Sequence, residues 1–233
     1  MPQLRGLSPA CGVAGTDTAQ RFLASAYDSV EAVLETLEAM RGIRRQQAPG
    51  GRIPGRLTSQ EEDLLRAAIV FTGAGLDATL KQLIRDTLIA LLEKSGQAHD
   101  KFEAFAAQRL GTADAADSRM VARYLVAADP RGRLIEDYVY ELTGSSLQSA
   151  EQVGNTAGAL GIDDGELRRR IGGLKELFTA RNEVSHELDL QRPGQPGDRT
   201  RRTRAIGRTK DLCQEGLEAA QLIVNAVGGL LTA

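Results

Sequence analysis

The spacing of the apolar residues that follow Asp17 restricts the fold of this chain more than any other feature. These residues follow one another at steps of three and four, which places them on one face of an α-helix: Leu23, Ala26, Val30, Val33, Leu37 and Met40. The stretch "TSQEEDLLRAAIVFTGAGLDATLKQLIRDTLIALLEK" is also helix-periodic, to about Glu93. No run of alternating apolar and β-branched residues predicts a strand. The pattern predicts an all-α fold.

Helix signals divide the rest of the chain. Further helices are expected at about 98–110, 114–127, 131–143 and 147–160, from near Asp164 to Leu188, and at 201–230. Capping boxes are predicted at Asp17 with Gln20 and at Ser59 with Glu62. We expect a bundle of about seven or eight helices with two long central helices. Residues 17–233 would form one domain behind a flexible N-terminus, residues 1–16.

Asp129, Pro130 and Gly42 mark helix boundaries. Asp129 would cap the helix that follows it, with Pro130 at the first helical position. Gly42 is expected to end the first helix. The segment "RGIRRQQAPGGRIPGR", residues 41–56, is typical of an exposed basic linker, or alternatively of a loop that faces RNA.

Composition narrows the class of protein. Only 4% of the residues are aromatic and none is Trp, which together with frequent Ala, Leu, Glu, Arg and Gln favours helix. The net charge of -2 means that any contact with nucleic acid would need a local patch. Cys11 and Cys213 lie near opposite ends without a zinc or disulfide motif. We expect a cytoplasmic protein without metal or cofactor, and, lacking a long apolar run, without a membrane span.

Gly73 and Gly75 interrupt the apolar pattern of the second helix. Each glycine costs about 1 kcal/mol relative to alanine in a helix. They are expected to mark a kink or a close approach of another backbone. A nucleotide-binding glycine loop is the alternative, but no strand precedes the pair and the lysine and hydroxyl of a P-loop are missing.

The stretch "LFTARNEVSHELD", residues 177–189, carries the strongest functional signal. Leu174, Leu177, Val184 and Leu188 form an apolar stripe in which Arg181 occupies the missing position. An arginine there requires a groove, a carboxylate or a partner chain, because a guanidinium is not buried unpaired.

Two polar residues follow that arginine. Asn182 and His186 lie four residues apart and share one face of the helix. His186 is expected near the helix C-terminus, where the macrodipole favours an imidazolium.

These residue types suit cleavage of RNA without a metal ion. A neutral imidazole can take the proton from a ribose 2′-hydroxyl, while a guanidinium stabilises the charge that develops on the phosphate. Asn182 could orient either group, and two copies related by a twofold axis would provide both a base and an acid. In the alternative interpretations, Arg181 pairs with a carboxylate of a neighbouring helix while His186 ends its helix in solvent, or the site binds without turnover.

The stretch "RNEVSH" resembles the R-x4-6-H motif of the HEPN superfamily (higher eukaryotes and prokaryotes nucleotide-binding domains), with Asn182 as the polar residue that often follows the arginine. The all-α chain, the late motif, the Pro/Gly loop after it and one closing helix are similar too. "AAIVFTGAGLDATLKQLIRDTL" resembles the central helix of the RiboL-PSP-HEPN branch, with Asp77 near a position that often carries glutamate. The resemblance covers about residues 60–230.

The resemblance implies a homodimeric, metal-independent endoribonuclease of a toxin–antitoxin, abortive-infection or other antiviral system. Arg181 and His186 would be catalytic, Asn182 supporting, and Asp77 a substrate-binding residue. A neutralising antitoxin or another defence protein would be the partner. Leu188 stands where HEPN toxins paired with nucleotidyltransferase antitoxins carry a tyrosine, so silencing by modification at that position is not expected.

The arginine-rich segment "RTRRTRAIGRTK", residues 199–210, follows the motif by one loop. If the last two helices pack antiparallel, its arginines could guide phosphates to the site: Arg199, Arg201, Arg202 and Arg204. The alternative is a solvated helix start. His99, the second histidine, is expected to be a surface residue.

Overall fold

The computed structural model describes residues 4–48, 55–111 and 121–233. Within them, eight helices form, together with a helical turn at 121–125: α1 (Asp17–Gln47), α2 (Ser59–Lys94), α3 (Gly96–Gly111), α4 (Pro130–Thr143), α5 (Ala150–Ala159), α6 (Gly165–Gly173), α7 (Lys175–Glu187) and α8 (Ile206–Thr232). The only paired extended backbone in these ranges is an antiparallel bridge between Leu190 and Arg201. The expected all-α bundle is confirmed for this part of the chain. The expected helix at 114–127 and basic linker at 41–56 lie partly outside the described residues.

Helix α2 is the centre of the bundle. It contacts α1, α3, α4, α7 and α8, and its buried residues point in several directions around the helix axis. A helix that is apolar on nearly all sides is stable only when other elements surround it. α1 and α8 are also long, with 31 and 27 residues, so three long helices rather than two build the described part of the bundle.

The ends of the first two helices differ from the sequence expectation. α1 begins at Asp17 without a side-chain cap and continues past Gly42 to Gln47, because its last turn packs on α2 through the ion pair of Arg44 with Glu61. The capping box of α2 is formed by Thr58 and Glu61, one residue earlier than predicted. The Thr58 hydroxyl accepts from the Glu61 amide at 3.2 Å, and the Glu61 carboxylate accepts from the Thr58 amide at 2.8 Å. The expected cap at Asp129, with Pro130 following, is confirmed.

The helix expected to carry the RNEVSH motif is two helices. Asp164 caps α6, and its carboxylate accepts from the Leu167 amide at 2.8 Å. α6 ends after the pair Gly172–Gly173, and α7 starts again at Lys175. Adjacent glycines weaken a helix, so the chain can turn at this point while Leu174 remains buried between the two helices.

Gly75 brings α1 and α2 together. A β-carbon on Gly75 would lie 2.1 Å from the β-carbon of Ala26 in α1, closer than two atoms can approach. The expectation that another backbone comes close is therefore confirmed at Gly75, whereas the neighbour of Gly73 is the Arg181 side chain. α2 runs through both glycines as one helix. The alternative of a nucleotide-binding glycine loop is excluded, since Gly73 and Gly75 are both buried within that helix.

Residues 4–16, for which the sequence predicts a flexible segment, lie along α8. Leu4 is buried in the core, and the Arg5 amide donates to Gln214 Oε1 at 2.8 Å. Asn225 accepts from the Cys11 amide at 3.1 Å and donates to the Pro9 carbonyl at 3.1 Å. The segment covers apolar residues of the last helix.

Candidate functional site

The helix that carries RNEVSH is fixed to the core by its first half. Leu177, Phe178 and Ala180 are buried in the hydrophobic core. Leu177 fits against Gly216 of α8, where a β-carbon would lie 2.7 Å from Leu177 Cδ2 and 2.8 Å from Thr72 Cγ2 of α2. Because three helices meet at this point, the polar second half of α7 has a defined position.

Arg181 is half-buried and has no carboxylate partner among the described residues. Its side chain crosses Gly73 of α2, where a β-carbon would lie 3.0 Å from Arg181 Cγ. One guanidinium nitrogen, Nη1, donates to Asn182 Oδ1 at 3.1 Å. The interpretation in which Arg181 is held by a carboxylate of a neighbouring helix finds no such carboxylate in the described part of the chain.

Asn182 connects Arg181 to the loop between α4 and α5. Its amide nitrogen donates to the Gln148 carbonyl at 3.1 Å, while its oxygen accepts from Arg181. The backbone amide of Leu147, the residue before Gln148, donates to Asp77 Oδ1 at 2.7 Å. The other oxygen of Asp77, Oδ2, forms an ion pair with Lys81 at 3.0 Å. Asp77 thus lies close to the motif, as a residue that anchors the loop on which Asn182 rests. Lys81 was missed, although its spacing of four residues from Asp77 predicts such a pair.

His186 lies in the last turn of α7 and is exposed. It forms no hydrogen bond or ion pair with the described residues. Five positions along a helix separate it from Arg181 by roughly 140° and 7.5 Å along the axis. Within one chain the imidazole and the guanidinium therefore project from different sides of α7.

The helix ends immediately after His186, and the predicted apolar stripe ends with it. Leu188 adopts the left-handed conformation with φ of 51° and is 69% exposed, so it does not continue the stripe that begins at Leu174. Asp189 is also left-handed, with φ of 60°. Two such residues in succession turn the chain away from the helix axis and direct Asp189 into the protein.

The carboxylate of Asp189 is fully buried and accepts bonds from two arginines. Arg66 Nε of α2 donates to Asp189 Oδ2 at 2.7 Å, and Arg204 Nε donates to the same oxygen at 3.1 Å. Burial by itself lowers the pKa of Arg204, but its bonds to Asp189 and Glu183 outweigh burial and raise it; Arg66 shifts in the same direction. Both guanidinium groups are held charged, and the cluster fixes the end of α7 on α2.

Sequence reasoning missed Arg66 and Asp189. Arg66 could have been identified from its position between Leu65 and Ala68 in an apolar helix, because a buried arginine requires a carboxylate partner. Asp189 had no comparable signal, because it appeared as the first residue of a polar loop.

The arginine-rich segment has a different environment from the one expected. Residues 201–204 precede α8 as extended chain instead of opening it, and Arg201 pairs with Asp63. Arg202 pairs with Glu183 at 3.2 Å and with Glu187 at 3.3 Å. The carboxylates of α7 thus neutralise Arg202 and Arg204, which makes them poor candidates for guiding phosphate. Arg199 is exposed and has no ion pair with the described residues.

A cleft of about 720 Å³ lies elsewhere in the described part of the chain. It opens between α3, α4, α5 and α6 and is lined by Lys101, Tyr138, Glu151 and Arg168 among others. Neither Arg181 nor His186 lines it. This cleft is therefore separate from the candidate site, which lies at the surface on the polar end of α7.

Comparison of the chain with protein-family models, with curated proteins and with solved structures gave no match. In the described ranges, no group of three His, Cys, Asp or Glu side chains is arranged to hold a metal ion. No helix in the same ranges is long and apolar enough to cross a membrane. The function of the chain is therefore inferred from its own residues and their arrangement.

Proposed function

We propose that the chain is a metal-independent endoribonuclease whose active site contains Arg181, Asn182 and His186 and is completed by a second copy in a homodimer. The observation that carries the proposal is that Arg181 has no carboxylate partner in the described part of the chain. Arg202, Arg204 and Arg208 each pair with a carboxylate of α7, whereas Arg181 pairs with none among the described residues. A half-buried, uncompensated cation is suited to an anionic ligand.

The proposed reaction uses the ribose 2′-hydroxyl as nucleophile. The neutral imidazole of His186 takes the hydroxyl proton, the 2′-oxygen attacks phosphorus, and the bond from phosphorus to the 5′-oxygen breaks. The guanidinium of Arg181 stabilises the negative charge on the phosphate, and Asn182 holds that guanidinium through its 3.1 Å bond. The products are a 2′,3′-cyclic phosphate and a 5′-hydroxyl end.

A dimer supplies the group that one chain lacks. The leaving 5′-oxygen needs a proton, and one imidazole cannot be neutral base and protonated acid in the same step. His186 is exposed at the end of α7, so a second copy related by a twofold axis can bring its own His186 to the same phosphate. The second imidazole would then act as the acid.

The decisive experiment is RNA cleavage in EDTA. Wild-type protein should cut RNA under these conditions, and His186→Ala should lower the rate by about 10²- to 10⁴-fold, the usual contribution of a general acid or base. His99→Ala is the matched control, because His99 is the other histidine, exposed on α3. Activity that depends on a divalent metal, or that persists in His186→Ala, would contradict the proposal.

The product and the assembly provide further readouts. The upstream fragment should carry a 2′,3′-cyclic phosphate, and an RNA with a 2′-deoxy residue at the cleavage position should not be cut there. The protein should be a homodimer by light scattering. In an abortive-infection or toxin–antitoxin setting, a partner protein would have to cover Arg181 and His186, because Leu188 has no hydroxyl that could be modified.

A binding module without turnover is the second candidate. The pairing of Arg202 and Arg204 with carboxylates favours it, since little free positive charge then remains beside the motif to hold a long RNA. Such a module predicts RNA or partner binding that Arg181→Ala weakens, with no cleavage by wild-type protein and no effect of His186→Ala.

A further inference from the structure

A separate pocket of about 410 Å³ opens where α1 ends and α2 and α8 begin. The pocket is lined by Arg41 of α1, by Arg56 in the chain before α2, and by Thr203 and Arg204 in the chain before α8. Its volume falls in the range of roughly 300–1,000 Å³ that is typical of small-molecule sites. Neither Arg181 nor His186 lines this pocket.

Arg41 is the unusual residue of the pocket. The residue is only 9% exposed, and its Nε and Nη1 are buried without a hydrogen-bond partner in the part of the chain that the structure describes. Three residues later, Arg44 pairs with Glu61, so that carboxylate already has a hydrogen-bonded cation. A buried guanidinium without a partner is costly, and the fold keeps it only if something compensates the charge.

Glu61 compensates that charge only through space: the charge of Arg41 helps to lower the pKa of the Glu61 carboxylate, but no hydrogen bond or ion pair joins the two side chains among the described residues. Glu61 Oε2 accepts from Arg44 and from the Thr58 amide. Its Oε1 is buried and accepts no hydrogen bond from any described residue. Glu61 is also absent from the lining of the pocket, so an anion in the pocket would reach Arg41 without meeting this carboxylate.

The rest of the lining is suited to an anion. Arg56 is exposed at the mouth, and α8 begins at the pocket with Ala205 at its N-cap, whose side chain accepts no bond from the first amides. The free amides and the dipole of this 27-residue helix attract negative charge. Glu62 lines the pocket too, but its carboxylate is paired with Arg66 at 3.2 Å. Arg204 is turned toward Asp189 and Glu183, so Arg41 and Arg56 are the pocket arginines that have no ion pair within the described ranges.

We infer that this pocket binds a phosphate group, held by the Arg41 guanidinium, the Arg56 side chain and the first amides of α8. A tetrahedral oxyanion can accept from a guanidinium and from helix amides at the same time. The inference does not depend on the proposed ribonuclease activity, because it uses none of the residues proposed for cleavage.

Binding of inorganic phosphate to the full chain tests the inference. Calorimetry should give saturable binding that Arg41→Gln weakens by about tenfold or more, as expected for loss of a charge-assisted bond. Arg45→Gln is the matched control, because it removes the same charge from an exposed arginine of the same helix that does not line the pocket. Phosphate should also raise the melting temperature of wild-type and Arg45→Gln protein but not that of Arg41→Gln.

The Arg56→Gln variant distinguishes the loss of a phosphate contact from a folding defect in Arg41→Gln. Arg56 is exposed, so its replacement should leave the melting temperature unchanged while it weakens phosphate binding. Absence of saturable phosphate binding by wild-type protein, or equal binding by wild-type and Arg41→Gln protein, would overturn the inference.

Two further ligands identify the source of the phosphate. A 2′-O-methyl oligonucleotide cannot be cleaved through the 2′-hydroxyl, and it can be compared with and without a 5′-phosphate. If the 5′-phosphorylated form competes with inorganic phosphate and the 5′-hydroxyl form does not, the site takes an RNA end. If neither competes while phosphate binds, the site takes the phosphate of a small molecule.

Discussion

The side chain of Arg181 lies directly on Gly73 of the central helix. A β-carbon at Gly73 would lie 3.0 Å from Arg181 Cγ and 3.7 Å from Arg181 Nε. The position of the guanidinium therefore depends on the absence of a side chain one helix away. Of the two glycines of α2, Gly73 gives space to a candidate catalytic group and Gly75 gives space to α1.

Gly73→Ala should reduce RNA cleavage without destabilising the fold. Alanine favours a helix over glycine by about 1 kcal/mol, which offsets the crowding of a side chain that can move. The displaced guanidinium should lower kcat by about tenfold or more, since small misplacements of a catalytic group are expensive. Cleavage rates and urea unfolding, measured on the same preparation, check both parts. An unchanged kcat would mean that the contact between Gly73 and Arg181 does not position the arginine.

Gly75→Ala should have the opposite profile and mainly reduce stability. The new methyl group would overlap Ala26, so α1 and α2 must move apart, at a cost of about 1–3 kcal/mol. Ala26→Gly in the same chain should recover part of that loss, because it removes the atom that clashes. Urea unfolding of the single and double variants measures the recovery. A double variant less stable than Gly75→Ala alone would show that the loss has another origin.

Asp189→Asn should be strongly destabilising, whereas Asp63→Asn should not. Both carboxylates bond to Arg66, but Asp189 is fully buried while the Asp63 side chain is 52% exposed. Loss of the buried charge leaves Arg66 and Arg204 without their common partner, which should lower the free energy of unfolding by about 3 kcal/mol or more. The exposed pair should contribute at most about 1 kcal/mol. Equal losses in the two variants would mean that burial does not set the strength of these pairs.

Stability should fall in acid in part because of Glu61. Burial raises the pKa of Glu61, but the Thr58 amide, the bond and charge of Arg44 and the charge of Arg41 outweigh it and lower the pKa from its ordinary 4.5. A lowered pKa in the folded state means that the contribution is present above the ordinary value and is lost as pH falls through the folded value.

Glu61→Gln measures that contribution. The difference in unfolding free energy between wild-type protein and Glu61→Gln should be present near neutral pH and should shrink below the ordinary pKa of 4.5. Chemical unfolding over a series of pH values gives both curves. A difference that does not change with pH would exclude ionisation of Glu61 as the cause.

Cys213 should resist thiol reagents in the folded protein. Burial against the core raises its pKa to about 11, so almost no thiolate forms near neutral pH. Cys11→Ser leaves Cys213 as the sole thiol, and this variant should react with a disulfide reagent only after denaturant is added. Rapid reaction without denaturant would mean that α8 opens readily from α2.

Local pattern predicted several elements of this fold because helix formation depends on near neighbours. Four residues of the stripe predicted for α1 are buried, namely Leu23, Ala26, Val30 and Leu37, whereas Val33 and Met40 are half-buried. Asp129 with Pro130 starts α4 where the sequence indicated. The same local rules misplaced the cap of α2 by one residue and joined α6 to α7 across Gly173, because competing caps and short breaks differ little in local energy.

The sequence by itself determined that the chain is helical and that Arg181, Asn182 and His186 lie together on one late helix. These properties follow from helical spacing. Only the tertiary structure decided which arginines are free to act. Arg66 and Asp189 are 123 positions apart, yet their bond fixes the end of α7. Two of the arginines predicted to guide phosphate, Arg202 and Arg204, pair with carboxylates of α7. A charge near a helix can be read from the sequence, but its partner is chosen by how distant helices pack, and the partner determines whether the charge remains available.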